Sequence, residues 1–198
     1  MNEDVGAGPR LRQLLGRLED RWAREGAGIA RALRPPATQE HLRRVEAELG
    51  VRLPVEVGTW FGWHDGVDVG TDLQTAPPFL CELVSLATAL ELRRAFLADT
   101  PRPEYTYRPT WLPFASSGPN SAFVVDCSGG PAAPAPVHVV DYSVNEPWDD
   151  VRAPSLTAAA ELWWHLSEQG VYRWSPDDGD WEDNGLRIPP ELRWTGIV

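Results

Sequence analysis

Three short apolar runs follow one another in the middle of the chain, and they constrain its fold more than any other feature. The runs cover 111–115, 122–126 and 137–141, and Gly, Pro, Ser and Asn residues separate them. Such runs are typical of β-strands joined by turns. Helical patterns precede the runs and another follows them. This order is typical of an α+β fold with an antiparallel sheet, not of alternating βαβ units.

Apolar residues at the helical period predict the helices. Between residues 9 and 33 they favour one long amphipathic helix, which Gly26 and Gly28 weaken and Pro35 stops. A further strand is predicted over 79–83. The remaining helices are predicted from the N-cap Thr38 to Gly50, from Pro54 to about His64, from Ser85 to about Ala98 and from Ser155 to about Gln169.

These segments divide the chain into three parts. Residues 1–37 form an N-terminal helical extension, residues 38–170 form the α+β domain, and residues 171–198 form an acidic tail rich in tryptophan. The prolines at 189 and 190 argue against regular structure there. Disordered tails are poor in aromatic residues, so we expect this tail to pack on the domain through its tryptophans.

The charge balance is strongly acidic. The chain has 18 Arg, no Lys and 29 acidic residues, which gives a formal net charge of −11. Such a chain repels nucleic acid and anionic membranes, so neither is expected as a partner. Two interpretations remain open: the charge serves solubility, or an acidic surface meets a basic protein partner.

Composition also bears on the compartment. No run of 18 apolar residues is present, so no transmembrane helix is predicted. The segment from Met1 to Asp4 is acidic and lacks the apolar stretch of a secretory signal. Cys81 and Cys127 are too few for a disulfide scaffold, and we expect both to be buried, reduced thiols. A cytoplasmic location is therefore expected.

The familiar signatures of enzymes and of cofactor or metal sites are missing. The sequence contains no G-x-S-x-G, H-E-x-x-H, P-loop or G-x-G-x-x-G motif. Its four His and two Cys lack the spacing of zinc ligands. We therefore expect a protein without catalytic activity, cofactor or metal.

The tail contains a near match to a calcium-binding EF-hand loop. Carboxylate and amide side chains have the spacing of its ligands, but Pro189 and Pro190 occupy the start of the helix that should follow. Calcium is therefore kept only as a weak alternative. The candidate ligands are Asp180, Glu182, Asn184 and Glu191.

The first half of the domain resembles the SUKH superfamily, which includes bacterial immunity proteins and fungal cell-wall assembly regulators of the Smi/Knr type. Its sequences combine a helix ending in E-x-x-L/Y-G, an L-P pair, a second helix with an aromatic or leucine pair, and then N/H-D/G-G. The corresponding residues here are Glu46, Leu49, Gly50, Leu53, Pro54, Trp60, Phe61, Asp65 and Gly66. The segments 111–115, 122–126 and 151–156 resemble later parts of the same pattern, so the likeness covers about residues 38–169.

This resemblance implies a fold and a class of function. The fold would be a single α+β domain with a curved antiparallel sheet flanked by helices. Family members act as binding proteins without a catalytic site, and the bacterial ones are thought to neutralise toxins, often nucleases.

The residues around the aromatic pair are the first candidates for a partner-binding site. Trp63 and His64 lie at a predicted helix end, where exposure would make them good contact residues and burial would make them part of the core. Asp65, Asp68 and Asp72 follow, and we interpret them as a solvated loop, not as a metal site.

Two further candidates, Asp126 and Asp141, end apolar strands. They either terminate these strands or border a binding face of the sheet.

The resemblance and the acidic charge together favour an immunity protein that covers the active site of a basic toxin domain, with nucleases as one candidate class of toxin. The alternative is a regulatory or scaffold protein, like the fungal relatives, with no toxin partner. The oligomeric state is left open.

Overall fold

The structure, a computed structural model, describes residues 6–68, 75–76, 81–98, 107–142 and 150–183. Within these ranges the chain forms six helices and seven strands. A five-stranded antiparallel sheet is flanked by helices, so the predicted α+β fold is confirmed. No helix in the described ranges is long and apolar enough to cross a membrane.

The first amphipathic pattern forms two helices instead of one. Helix α1 spans Ala7–Glu25 and buries its leucine stripe, and α2 covers only Ile29–Ala32. Gly26 ends α1 in a left-handed conformation with φ of 76°. The prediction of one helix over 9–33 is wrong because glycine adopts positive φ at little cost and so favours a helix end at this point.

Two short helices follow. Helix α3 spans Gln39–Leu49 and α4 spans Val55–Phe61. The Thr38 hydroxyl accepts a hydrogen bond of 3.2 Å from the His41 amide, which confirms Thr38 as an N-cap. The third predicted helix ends three residues early, because a turn follows Phe61.

The five-stranded sheet is an antiparallel meander with its strands in chain order. Register shifts within its longest strand, β3, bend the sheet locally. The predicted runs over 111–115, 122–126 and 137–141 are confirmed as β3, β4 and β5, and residues 81–83 of the predicted strand over 79–83 form β2. The strands are β1 (Thr75–Ala76), β2 (Cys81–Leu83), β3 (Trp111–Gly118), β4 (Ser121–Asp126) and β5 (Val137–Asp141).

Helices pack against both faces of this sheet. Alternate strand residues enter two apolar clusters, as the period of two in a strand requires. The larger cluster contains Leu112, Val125 and Val137 together with buried residues of α1, α4 and α6, which spans Leu156–Glu168. The smaller one contains Trp111, Val124, Val140 and Phe96 of α5, which spans Leu86–Ala98.

A buried carboxylate ties three distant segments together. Glu56 on α4 is 2% exposed. One of its oxygens accepts a hydrogen bond of 2.8 Å from the Ala135 amide, and the other accepts from the amide and the hydroxyl of Thr157. Since a buried carboxylate is costly without partners, these hydrogen bonds fix α4 against the proline-rich loop before β5 and the start of α6.

The tail begins with a hairpin that was not predicted. Strands β6 (Tyr172–Ser175) and β7 (Asp180–Asp183) pair with each other around a turn closed by Gly179, whose φ is 66°. The indole Nε1 of Trp181 donates a hydrogen bond of 3.0 Å to the Thr75 carbonyl. Trp181 thereby joins the hairpin to β1.

The helix α1 and the hairpin share one apolar core with the central part of the chain. Leu14 of α1 and Trp181 of β7 both belong to the larger cluster. The proposed boundaries after residues 37 and 170 stay predictions. Residues 184–198, including the proline pair and Trp194, lie outside the described residues.

Candidate functional site

The predicted contact residue Trp63 lies inside the protein. It is 8% exposed, and its ring packs against those of Trp60 and Trp22, with centroid distances of 5.8 and 6.2 Å. Its Nε1 donates a hydrogen bond of 2.8 Å to Oε2 of Glu19 on α1. Only a small part of Trp63 is therefore open to a partner, and its role in contact stays a prediction.

His64 bridges two elements beside Trp63. Its Nδ1 lies 2.6 Å from the Arg34 carbonyl oxygen, and its Nε2 lies 3.3 Å from Oε2 of Glu19. Both ring nitrogens therefore face oxygen acceptors. The side chain remains 19% exposed, so one edge of the ring reaches the surface.

The Asp65 side chain is hydrogen-bonded to the N-terminus of helix α5. It is 8% exposed, and its Oδ1 accepts a hydrogen bond of 2.7 Å from the Leu86 amide at the first turn of α5. A carboxylate there satisfies an amide that has no partner within the helix. Asp68 is different, because its side chain is 78% exposed and lies 3.9 Å from Nε of Arg34.

The residues around Asp65 belong to a cleft between α3 and α5, which we call the α3–α5 cleft. Its volume is about 200 Å³. The faces of the two helices line its sides, and the segment before α3 closes one end. The lining residues are Arg34, His41, Arg44, Val45, Asp65, Leu86, Ala87, Leu90, Glu91 and Arg94.

Two contacts hold the walls of the α3–α5 cleft in place. At one point Asp65 is hydrogen-bonded to the start of α5. At another, the Arg94 guanidinium makes a two-pronged contact with the Glu48 carboxylate of α3, at 2.9 and 2.6 Å. Bidentate arginine–carboxylate pairs have defined geometry, so the cleft exists before any ligand binds.

The three arginines and the histidine of this cleft were missed by sequence reasoning. Arg34, His41, Arg44 and Arg94 come from three separate segments, and only the packing of α3 against α5 brings them together. The available signal was a second stripe along α3, formed by His41, Arg44, Val45 and Glu48 at helical spacing.

The structure does not bring Asp126 and Asp141 together. Asp126 pairs with Trp111 at one end of the sheet, and Asp141 pairs with Ser121 at the other. Burial raises the pKa of Asp126, but hydrogen bonds from Ser128 and Thr110 outweigh it and hold that pKa below its usual range. Asp126 thus stabilises the turn after β4.

The structure describes two of the four candidate calcium ligands. Asp180 and Glu182 lie on the extended strand β7, where an EF-hand would need a loop wrapped around the ion. Asp72, Asn184 and Glu191 lie outside the described residues. Within the described part of the chain, no group of three or more His, Cys, Asp and Glu side chains is arranged to hold a metal.

The two cysteines are buried, and neither forms a disulfide. Burial raises the pKa of Cys81 to about 11 and that of Cys127 to about 12. A nucleophilic cysteine needs a lowered pKa and access to substrate, so both residues are chemically suited to packing and not to covalent catalysis.

Comparison with known proteins adds one match. No curated protein matches the chain significantly. The sequence model of one family covers residues 36–158, which is more than half of the chain and includes α3 to β5. It also includes every lining residue of the α3–α5 cleft except Arg34. On this evidence the chain belongs to the SMI1/KNR4 family (SUKH-1).

Proposed function

We propose that this protein is an immunity protein that binds a basic toxin domain and covers its active site. Membership of the SUKH-1 family supports a role in protein–protein interaction of this general kind, and the family is generally non-catalytic. The toxin partner and the mechanism of occlusion are our proposal. The observation that carries it is an exposed group of carboxylates on the β6–β7 hairpin.

These hairpin carboxylates are open to a partner. Asp177, Asp178, Asp180 and Glu182 are all exposed. Within the described residues none of them forms an ion pair, although Asp178 accepts a hydrogen bond from the Ser175 hydroxyl at 2.6 Å. The hairpin that carries them is anchored by buried Trp181, so their positions are set by the core.

The overall charge of the protein also favours a basic partner. A net charge of −11 attracts a basic partner over distance and speeds its encounter. If the toxin is a nuclease, the carboxylates take the place of nucleic acid phosphates in its substrate site. Such an interaction depends on electrostatic steering, and its association rate falls steeply with salt.

Among the residues chosen from the sequence, we retain Asp68, Asp141 and His64 as secondary contacts. Asp68 is the most accessible of the three, while Asp141 and His64 are partly exposed. Trp63, Asp65 and Asp126 would act indirectly. Trp63 is hydrogen-bonded to the Glu19 side chain, and the two aspartates accept hydrogen bonds from backbone amides.

A pull-down from the source cells tests this proposal. The tagged protein is eluted stepwise with salt, and eluates are identified by mass spectrometry. We expect one basic, toxin-like protein that leaves at high salt. A regulatory or scaffold role would instead give only housekeeping partners, or none, at every salt step, and that result would overturn the immunity role.

A charge-matched pair of variants then tests the hairpin. The triple variant Asp177→Asn, Asp178→Asn and Asp180→Asn should slow association with the captured toxin. The control neutralises the same number of exposed carboxylates elsewhere, at Asp20, Glu40 and Asp150. An equal effect of the two triple variants would show that net charge matters and the hairpin does not.

A further inference from the structure

We propose that the α3–α5 cleft binds a short acidic peptide segment of a partner protein, one that presents a leucine-type side chain between carboxylates. This inference does not rest on the proposed function, because the cleft shares no residue with the β6–β7 hairpin. It adds a second binding surface, which offers an arginine where the hairpin offers carboxylates, to the same molecule.

The floor of the cleft is apolar and suits one aliphatic side chain. Val45, Leu86 and Leu90 form it, and each is at most 4% exposed. The cleft volume of about 200 Å³ is below the roughly 300–1,000 Å³ of sites for drug-sized ligands. This size favours a side chain with its adjoining backbone over a cofactor.

Three arginines, Arg34, Arg44 and Arg94, line the rim, and one of them has no carboxylate partner in the described residues. Arg34 and Arg94 already lie near carboxylates, with Asp68 at 3.9 Å and Glu48 at 2.6 Å respectively. Arg44 is exposed and makes no hydrogen bond or ion pair with any residue in the described ranges. Its guanidinium is therefore available to a carboxylate, for which its planar fork is well suited.

The same cleft argues against a nucleic acid or an anionic membrane as the occupant. Asp65 and Glu91 also line it, and Glu48 lies next to it. A continuous row of phosphates would meet these carboxylates and the net charge of −11. A peptide avoids this repulsion, because its carboxylates are separate and can face Arg44 while an apolar side chain fills the floor.

Rigidity favours binding here. The contacts of Asp65 with α5 and of Arg94 with Glu48 hold both walls before the ligand arrives. Binding then orders little beyond the peptide itself, which lowers its entropic cost. An unpaired arginine beside a preformed apolar floor is a common arrangement at the energetic centre of protein interfaces.

Fluorescence anisotropy with a labelled probe tests the inference on the full chain. The probe is a peptide of about eight residues that alternates leucine and glutamate, and the comparison peptide replaces each glutamate with glutamine. We expect the glutamate probe to bind, and the Arg44→Glu substitution to weaken it by about tenfold or more. Arg44 is exposed and unpaired, so this variant should fold normally.

Arg43→Glu is the matched control. Arg43 precedes Arg44 on α3, is also exposed and does not line the cleft, so the two variants change net charge equally. The inference predicts near-normal binding by Arg43→Glu. Equal weakening by both variants, equal binding of the glutamine peptide, or no binding to the native protein would each overturn it, as would tighter binding of a single-stranded oligonucleotide.

Discussion

Trp63 donates its indole hydrogen bond to Glu19 at 2.8 Å, and this contact joins two parts of the chain with different relationships to the family. Trp63 lies within the matched range of 36–158, whereas Glu19 lies on the helix that precedes it. Glu19 also faces Nε2 of His64. The helix α1 thus supplies an acceptor that the aromatic motif needs.

Replacement of Glu19 tests how much this contact stabilises the fold. Glu19→Ala removes the acceptor of a buried indole N–H, and should lower the free energy of unfolding by about 1–3 kcal/mol. Urea denaturation measures this change in the free energy of unfolding. Asp20→Ala is the control, because Asp20 is exposed on the same helix and its change should stay within about 0.5 kcal/mol. If both variants lost the same stability, the hydrogen bond between Trp63 and Glu19 would not contribute measurably to the fold.

Gly66 is a second position where a single added carbon atom should destabilise the fold. Its φ is +75°, and a Cβ there would lie 2.5 Å from the backbone of Val84 and Ser85. Gly66→Ala should therefore cost about 3 kcal/mol or more, from left-handed strain plus the clash. Thermal and urea unfolding measure the loss.

A substitution at Gly50 separates the effect of left-handed backbone strain from the effect of the clash. It has nearly the same φ, +71°, but a Cβ would meet nothing within 4 Å. Gly50→Ala should cost only about 1–2 kcal/mol. If both substitutions cost the same, the close approach of Gly66 to the β2–α5 connection would have no energetic weight.

The Asp126 carboxylate predicts a pH dependence. Its pKa in the folded protein lies below the ordinary 3.8, so its ionisation adds stability above about pH 3.8, and this stability is lost as the pH falls through the folded-state pKa. Asp126→Asn should thus be less stable than the native protein by about 1 kcal/mol near neutral pH. Urea titrations at several pH values should show the difference shrinking below about pH 3.8. A difference independent of pH would contradict this origin.

The buried thiols predict slow chemical modification. Because burial raises the pKa of Cys81 from 9.0 to about 11, its thiolate fraction near pH 8 falls about a hundredfold. Reaction with an aromatic disulfide reagent should be slower by at least that factor in the native protein than in urea. Rapid labelling of the native protein would show that β2 opens readily.

Sequence patterns predicted most of the fold because its elements carry local signals. The strands β3 to β5 are bounded by turn residues, and Thr38 and Ser155 occupy N-cap positions with their hydroxyls bonded as expected. The β6–β7 hairpin was missed because its turn, from Pro176 to Gly179, was interpreted as part of an acidic tail. The alternation of Tyr172 and Trp174 was the available strand signal.

The site was less predictable, because it depends on tertiary contacts. The sequence left open whether Trp63, at a predicted helix end, is exposed or buried, and the packing of α1 against α4 buries it. The arginines of the cleft, Arg34, Arg44 and Arg94, are spread over 61 positions of sequence. No local motif therefore predicts that they lie close together. Periodicity assigns a side chain to a helix face but does not say which helix it will meet.

The packing of α1 against α6 has a consequence for synthesis on the ribosome. The leucine stripe of α1 is made before α6, yet part of its cover comes from α6, and Arg10 of α1 pairs with Glu161 of α6 at 3.0 Å. Domains complete their folding only when their last packing element has emerged. The nascent chain therefore carries an incompletely shielded apolar helix until α6 has left the ribosome, and that helix offers an apolar surface to a chaperone.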